Sequence, residues 1–210
     1  MRQILSNVIL GIAVIGIFGN VVIQANPPQS GDRLAESAEE ICPLLVGQSV
    51  PDVPLTTAEG EAINLSEALA QKPTLLIFYR GGWCPFCNTH LAELQSIQDD
   101  LRALGYQILA ISMDRPAKLQ QSLDEHDLTY TLLSDSAAVA VKAFGLAFKA
   151  TKSNTDRLES YSGRDHHILP VPAAFIVGKD GMIRFEYINP NYQVRVKSEI
   201  VLAAAKAEIR

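Results

Sequence analysis

The sequence predicts an α/β fold with a central, mostly parallel sheet, helices on both faces and a late antiparallel hairpin. Continuous apolar runs of strand length alternate with segments whose apolar residues recur every three or four positions, as in buried parallel strands joined by helices. Near the end of the chain, two further strand-like runs flank a turn at residues 179–181, which is a hairpin signal. Right-handed crossovers between the parallel strands place helices on both faces of the sheet.

The first elements follow from turn residues and apolar runs. Two short strands are predicted around the turn at residues 59–60, followed by a helix that begins at Asn64 or Ser66. Residues 74–80, TLLIFYR, are predicted to form a strand buried on both faces. The next segment is an amphipathic helix that ends at Gly105, with apolar residues at spacings of three and four: Leu91, Leu94, Ile97, Leu101 and Leu104.

The second half of the chain continues the alternation of strands and helices. Two strands and two helices are predicted in turn, at residues 106–113, 115–127, 128–135 and 136–145. Asp114 is a candidate N-cap for the first of these helices. Residues 149–167 are polar and lack periodicity, so they are predicted to form an irregular surface insertion. A closing helix is predicted over residues 197–209.

Composition restricts the partners and the source of stability. The formal net charge is −5, and the Lys and Arg residues are scattered, so the chain lacks the electrostatic footprint of a nucleic-acid-binding protein. Three cysteines are too few for a disulfide scaffold. The fold is therefore expected to rest on its apolar core, and the cysteines are available for chemistry.

The first residues predict export from the cytoplasm. A cation at Arg2 precedes a long apolar block, after which the chain becomes polar. Residues 1–25 are predicted to be a cleaved signal peptide or, alternatively, an uncleaved membrane anchor through residues 4–23, a length that nearly spans a bilayer. Either case predicts a periplasmic or other extracytoplasmic location for a linker over residues 26–45 and a domain over residues 46–210.

The stretch FYRGGWCPFCN, at residues 78–88, holds two of the three cysteines. Cys84 falls between a buried strand and a long helix, and Pro85 stands where proline is favoured, at the first helical position. Cys84 is therefore predicted to be the N-cap, where unpaired N–H groups and the helix dipole stabilise a thiolate. Cys87 lies one turn further along the helix, with its sulfur on the same side. The two residues can close a short disulfide.

A metal site is not predicted. Zinc needs about four ligands, and the sequence contains neither a second CxxC pair nor a suitably spaced pair of histidines. His90 and His126 lie on predicted helices, while His166 and His167 are adjacent, so structural or solvated roles are expected for all four. We therefore predict no metal and no cofactor.

Several segments together resemble the AhpC/TSA, peroxiredoxin-like branch of the thioredoxin-fold superfamily: FYRGGWCPFCN after TLLIF, ISMDRPAKLQQSLDEHDLTYTLLSD, VKAFGLAF and LPVPAAFIVGKDGMIRFEYINPNY. The resemblance covers residues 46–205 and implies a thioredoxin-like fold. It also implies a thiol peroxidase cycle, in which one cysteine attacks hydrogen peroxide or an organic hydroperoxide, becomes a sulfenic acid and then forms a disulfide with the other. A thioredoxin-like protein or a small thiol would regenerate the pair.

The resemblance leaves the roles of the two cysteines open. In the peroxiredoxin frame, Cys87 aligns with the attacking cysteine and Cys84 with a threonine. In a thioredoxin-like exchange, an exposed Cys84 thiol attacks and Cys87 resolves. The position at the helix end favours Cys84. The alternative to a peroxidase is a thiol-disulfide oxidoreductase that acts on protein disulfides without significant peroxidase activity.

Supporting roles are predicted for three further residues. Pro172 occupies the place of an arginine that the family carries near the start of the late strand, and Val171-Pro172 resembles the cis-proline element of thioredoxins. Arg80 is the candidate for the missing charge, or else a surface arginine. Trp83 is expected to cover the thiols, to contact a partner or simply to pack. Cys42 is expected to be a buried or free thiol, with a regulatory or intermolecular disulfide as the alternative.

Overall fold

The structure, a computed structural model, describes residues 34–165 and 167–208. The predicted signal peptide or anchor over residues 1–25 lies outside these ranges, as does His166. Within the described ranges, no helix combines the length and the apolar character needed to cross a membrane.

Part of the segment expected to be a linker packs on the domain. Ala35 is buried, and its carbonyl accepts the N–H of Lys149 at 3.0 Å. Leu44 donates its N–H to the carbonyl of Phe144 at 3.1 Å. Residues 35–44 therefore line one side of the core before the main sheet begins.

Seven strands form the main sheet, in the order β2-β1-β5-β4-β3-β8-β9, and β6 pairs separately with β7. The neighbouring strands β3, β4 and β5 run parallel, and the remaining pairs are antiparallel. The strands described are, in chain order, β1 (Pro54–Thr57), β2 (Ala62–Asn64), β3 (Thr74–Phe78), β4 (Gln107–Ser112), β5 (Thr131–Ser134), β6 (Ala147–Lys149), β7 (Ile168–Pro170), β8 (Ala173–Val177) and β9 (Ile183–Ile188).

Helices cover both faces of this sheet, as predicted. They are α1 (Leu65–Gln71), α2 (Pro85–Ser96), α3 (Gln98–Ala103), α4 (Pro116–Glu125), α5 (Val139–Ala143), α6 (Lys152–Ser162) and α7 (Ser198–Glu208). Leu76 and Phe78 of β3 pack on the face of α1, α5 and α6, whereas Leu75 and Ile77 pack on the face of α2, α3, α4 and α7. The alternation follows from the two-residue period of a strand.

Two predicted elements differ from the structure. The single long helix ending at Gly105 is two helices, because the backbone at Ile97 leaves the helical region (φ −108°, ψ 4°) while its side chain stays in the core. The predicted irregular insertion contains α6. Its buried positions are Thr155, Leu158 and Ser162, and because two of these three residues are polar, the helical spacing was not visible as an apolar pattern.

Candidate active site

The site forms at the carboxyl end of β3, an interior strand of the sheet, where the chain turns into α2. Two hydrogen bonds to Gly82 hold this loop: its N–H donates to the Asp114 carboxylate at 2.7 Å, and its carbonyl accepts the Asn88 amide at 2.9 Å. Asp114 is buried and does not cap α4, contrary to the prediction, since Arg115 occupies the N-cap position. The buried carboxylate anchors the loop before the cysteines.

Cys84 is the N-cap residue of α2, and Pro85 is the first helical residue, as predicted. The carbonyl of Cys84 accepts the N–H groups of Cys87 at 2.9 Å and Asn88 at 3.1 Å. Both cysteines are free thiols and only 1% exposed. The expected exposure of the Cys84 thiol is wrong, because both cysteines pack in the core cluster of this face beside Tyr79.

The surroundings of the two thiols move their pKa values in opposite directions. A hydrogen bond from the Cys87 thiol lowers the pKa of Cys84 to about 6; the N–H of Cys87 and the charges of Arg80 and Arg195 act in the same direction, against burial. Burial raises the pKa of Cys87, and so do its hydrogen bond to Cys84 and the charge of Cys84. At neutral pH the negative charge of the pair therefore lies on Cys84, and Cys87 keeps its proton.

Arg80 lies inside the site and is only 6% exposed, so it is not a surface arginine. Its guanidinium stacks over the ring of Trp83, with 4.8 Å to the ring centroid, and over that of Tyr192 at 4.2 Å. The Tyr192 ring in turn meets Phe86 edge to face at 5.7 Å. These stacked groups place a fixed positive charge beside the thiols.

Arg195 is a site residue that sequence reasoning missed. Its Nη2 lies 3.4 Å from the sulfur of Cys87. Burial and the Arg195 charge lower the pKa of the neighbouring His90 to about 4, so this imidazole is neutral at pH 7. Arg195 is therefore the charged group of the two, and its charge lowers the pKa values of both cysteines. The stretch INPNYQ before Arg195 has no periodicity that would predict a helix or a strand. Its Asn and Pro residues, which favour turns, are the available sequence signal for a folded loop.

Comparison with protein-family models gives a match to the AhpC/TSA family over residues 46–186. The chain belongs to the AhpC/TSA family. The match includes β3, the cysteine pair and β8, and it ends within β9, before the segment that carries Arg195.

Relatives and solved structures agree with this assignment. Peroxiredoxin Bcp of Escherichia coli K12 is 28% identical over 160 residues, which cover 76% of this chain and 94% of the relative. Among solved structures, peroxidoxin BcpB from Mycobacterium tuberculosis has a TM-score of 0.62 at 18% identity, covering 78% of this chain and 97% of that chain. Reduced Prx3 from Vibrio vulnificus has a TM-score of 0.65 at 20% identity, covering 78% and 99%. The predicted thioredoxin-like fold and enzyme class are confirmed: this AhpC/TSA protein is a thiol peroxidase.

In this AhpC/TSA protein, Pro172 lies at the same end of the sheet as the cysteines, beside the carboxyl end of β3. It is buried and precedes β8, whose first residue, Ala173, pairs with Phe78 at the end of β3. The Val171–Pro172 peptide bond is trans, so the resemblance to a cis-proline element is wrong. Only Val171 and Pro172 separate β7 from β8, and β8 pairs with β3 in regular register from Ala173 onward. The trans peptide bond is compatible with this direct connection between the two strands.

A second group of polar residues lies apart from the cysteines. Glu159, Asp165 and His167 each offer a donor atom within 4.8 Å of the others. His167 already pairs with Asp165 at 2.9 Å through Nε2, and its Nδ1 lies 3.3 Å from the Thr155 hydroxyl. Both imidazole nitrogens of His167 thus have protein partners.

The anchoring carboxyl of Asp114 predicts an unusual dependence of stability on pH. Burial raises its pKa from 3.8 to about 6, although the Gly82 N–H opposes this shift. The folded state therefore holds the proton more tightly than the unfolded chain. The resulting stability is present below about pH 4 and is lost as the pH rises through about 6, a change of roughly 3 kcal/mol.

Asp114→Asn retains an oxygen acceptor for the Gly82 N–H but does not titrate. We expect urea denaturation between pH 4 and pH 7 to show a smaller loss of unfolding free energy for this variant than for the wild type. The exposed Asp124→Asn, on the following helix α4, is the control and should follow the wild type. Equal pH profiles for Asp114→Asn and wild type would contradict the assignment.

Proposed function

We propose that this thiol peroxidase reduces hydroperoxides with Cys84 as the attacking thiol and Cys87 as the resolving thiol. The observation that carries the proposal is the position of Cys84 as the N-cap residue of α2. In this position the Cys87 thiol donates a hydrogen bond to Cys84, and the pKa of Cys84 is lowered. The thiolate is the reactive form of cysteine. The charge on Cys84 makes it the nucleophile of the reduced pair.

The first step transfers one oxygen to sulfur. The Cys84 thiolate attacks the peroxide, an S–O bond forms as the O–O bond breaks, and the departing oxygen takes up a proton and leaves as water or an alcohol. Cys84 becomes a sulfenic acid. In the second step Cys87 closes the disulfide, and a thioredoxin-like protein or a small thiol then reduces it by thiol-disulfide exchange.

Burial of the sulfurs favours a peroxide over a protein disulfide as the oxidising substrate. Cys84 and Cys87 are each 1% exposed, whereas a thiol that attacks a protein disulfide must reach a sulfur on a large partner. A hydroperoxide needs only a narrow approach. Regeneration by a protein dithiol then requires a local opening of the first turn of α2.

A pair of assays separates the two functions. We expect the purified protein to consume hydrogen peroxide catalytically with a thioredoxin-like reductant, because the pair carries one ready thiolate. We expect it to reduce the disulfides of insulin no faster than a small dithiol does. Insulin reduction without peroxide consumption would contradict the proposal and support a thiol-disulfide oxidoreductase.

The proposal includes an extracytoplasmic location. It is supported by the apolar block after Arg2, at residues 4–23, as a signal peptide or anchor. Residues 4–23 lie outside the described residues, so the location stays a prediction. Fractionation of the producing cells would test it.

A further inference from the structure

The segment between β9 and α7 folds back over the cysteine pair. Two asparagine side chains shape it: Asn189 accepts the N–H of Asn191 at 2.9 Å, and Asn191 accepts the N–H of Gln193 at 3.1 Å. The N–H of Val194 also donates to the carbonyl of Asn191 at 2.9 Å. These consecutive turns deliver Arg195 to the N-terminal end of α2.

The guanidinium of Arg195 is fixed by its own segment and directed at one sulfur. Its Nη1 donates to the carbonyl oxygens of Tyr192 and Val194, the latter at 3.0 Å. Its Nη2 lies 3.4 Å from the sulfur of Cys87. Among the described residues, no hydrogen bond joins the Arg195 guanidinium to Cys84. The guanidinium therefore donates to Cys87, the second cysteine of the pair.

We infer that Arg195 is a catalytic residue for the second step, in which it stabilises the Cys87 thiolate that attacks the Cys84 sulfenic acid. The inference rests on the proposed roles of the two cysteines. As the S–S bond forms, the S–O bond of the sulfenic acid breaks, and the departing hydroxide takes up the proton that Cys87 released, giving water. Cys87 is oxidised and the Cys84 sulfur is reduced to the level of a disulfide.

The need for this charge arises only after peroxide has reacted. In the reduced pair, Cys87 keeps its proton because it is buried and donates that proton to the charged Cys84. A sulfenic acid at Cys84 is neutral and removes the repulsion, but the burial remains. The guanidinium of Arg195 then offsets the cost of a buried thiolate, assisted by the backbone N–H of Arg80.

Other titratable groups around Cys87 do not replace Arg195. Tyr79 is buried, and burial raises its pKa well above the usual value, so it stays neutral. His90, one turn along α2, is neutral at pH 7. The guanidinium of Arg80 is engaged between two aromatic rings. Arg195 is thus the cation whose donor contacts this sulfur.

Single-turnover kinetics of Arg195→Met test the inference, in a Cys42→Ser background that removes the exposed third thiol. Trp83 fluorescence follows the reaction, and a carbon nucleophile traps the sulfenic acid. We expect disulfide closure to slow by at least about tenfold and sulfenic acid to accumulate, while the peroxide step changes by less than about threefold. Arg195→Lys should restore part of the closure rate.

Arg184→Met is the matched control, since Arg184 lies on β9 of the preceding hairpin and pairs with Asp180 at 2.6 Å. Its two phases should match those of the wild type. Closure unchanged in Arg195→Met, or a peroxide step slowed as much as closure, would overturn the inference. If the wild type shows no peroxide phase, the proposed function itself fails.

A second measurement tests Arg195 without peroxide. In the Cys42→Ser, Cys84→Ser protein, position 84 carries no charge, Cys87 is the remaining thiol, and the ultraviolet absorbance of the thiolate reports the titration of Cys87. Adding Arg195→Met should raise the midpoint of this titration by about one pH unit, whereas Arg184→Met should leave it unchanged. Identical midpoints for all three proteins would overturn the inference whatever the protein's reactivity toward peroxide.

Discussion

Replacing Cys84 with serine is expected to lower the rate of the reaction with peroxide by at least about a thousandfold. A serine hydroxyl is not ionised at neutral pH, so the variant lacks the thiolate whose pKa of about 6 makes Cys84 reactive. Cys87 replaces it poorly, because burial still raises the pKa of Cys87 when position 84 carries no charge, and its own reaction is with a sulfenic acid held beside it rather than with free peroxide. The decrease is measured as peroxide loss in a single turnover of the Cys42→Ser protein.

Cys87→Ser is the matched variant, and it should behave differently. It keeps the Cys84 nucleophile and a hydroxyl that can donate to it, so the first oxidation should remain within about tenfold of the wild type. The second step should be lost, so that one equivalent of peroxide is consumed and turnover stops. The reverse pattern, with Cys84→Ser reactive and Cys87→Ser inert, would assign the attack to Cys87.

Gly81→Ala is expected to destabilise the protein by about 3 kcal/mol and to reduce peroxide reactivity. Gly81 has φ +131°, a region that other residues rarely adopt, and an added Cβ would lie 2.6 Å from both the Asp114 carboxylate and the Trp83 indole nitrogen. Either neighbour must move, and Asp114 anchors the loop through Gly82. Urea denaturation and single-turnover kinetics measure the two effects.

Gly60→Ala separates backbone strain from the lack of space. Gly60 also has a positive φ, of +93°, but an added Cβ there meets nothing within 4 Å. This variant should lose only about 1 kcal/mol and keep its reactivity. Equal losses of stability in the two variants would contradict the packing of the loop against Asp114 and Trp83.

Much of the fold could be predicted because its central elements have uniform patterns. The strand TLLIF is buried throughout and apolar after Thr74. Cys84-Pro85 marks the start of a helix in the sequence as it does in the structure. Helix α6 could not be predicted in the same way, because its buried face contains Thr155 and Ser162, which satisfy their hydroxyl groups within the helix. Polar residues at buried positions remove the signal that periodicity needs.

The site could be predicted only in part, since several of its residues come from segments that are distant in sequence from the cysteines. Cys84, Cys87, Trp83 and Arg80 are neighbours in sequence, and local rules locate them. Asp114 reaches Gly82 from the end of another strand. Tyr192 and Arg195 come from a loop beyond the hairpin, whose path depends on asparagine turns and tertiary packing. A single sequence carries no period or motif that reports such contacts.

The attacking cysteine is identified most directly by locating the sulfenic acid that forms with one equivalent of hydrogen peroxide. The Cys42→Ser, Cys87→Ser protein and the Cys42→Ser, Cys84→Ser protein are each oxidised with a carbon nucleophile present, digested and mapped by mass spectrometry. Attack by Cys84 predicts an adduct on Cys84 in the first protein and almost none in the second. An adduct on Cys87 in the second protein, with Cys84 unmodified in the first, would contradict it.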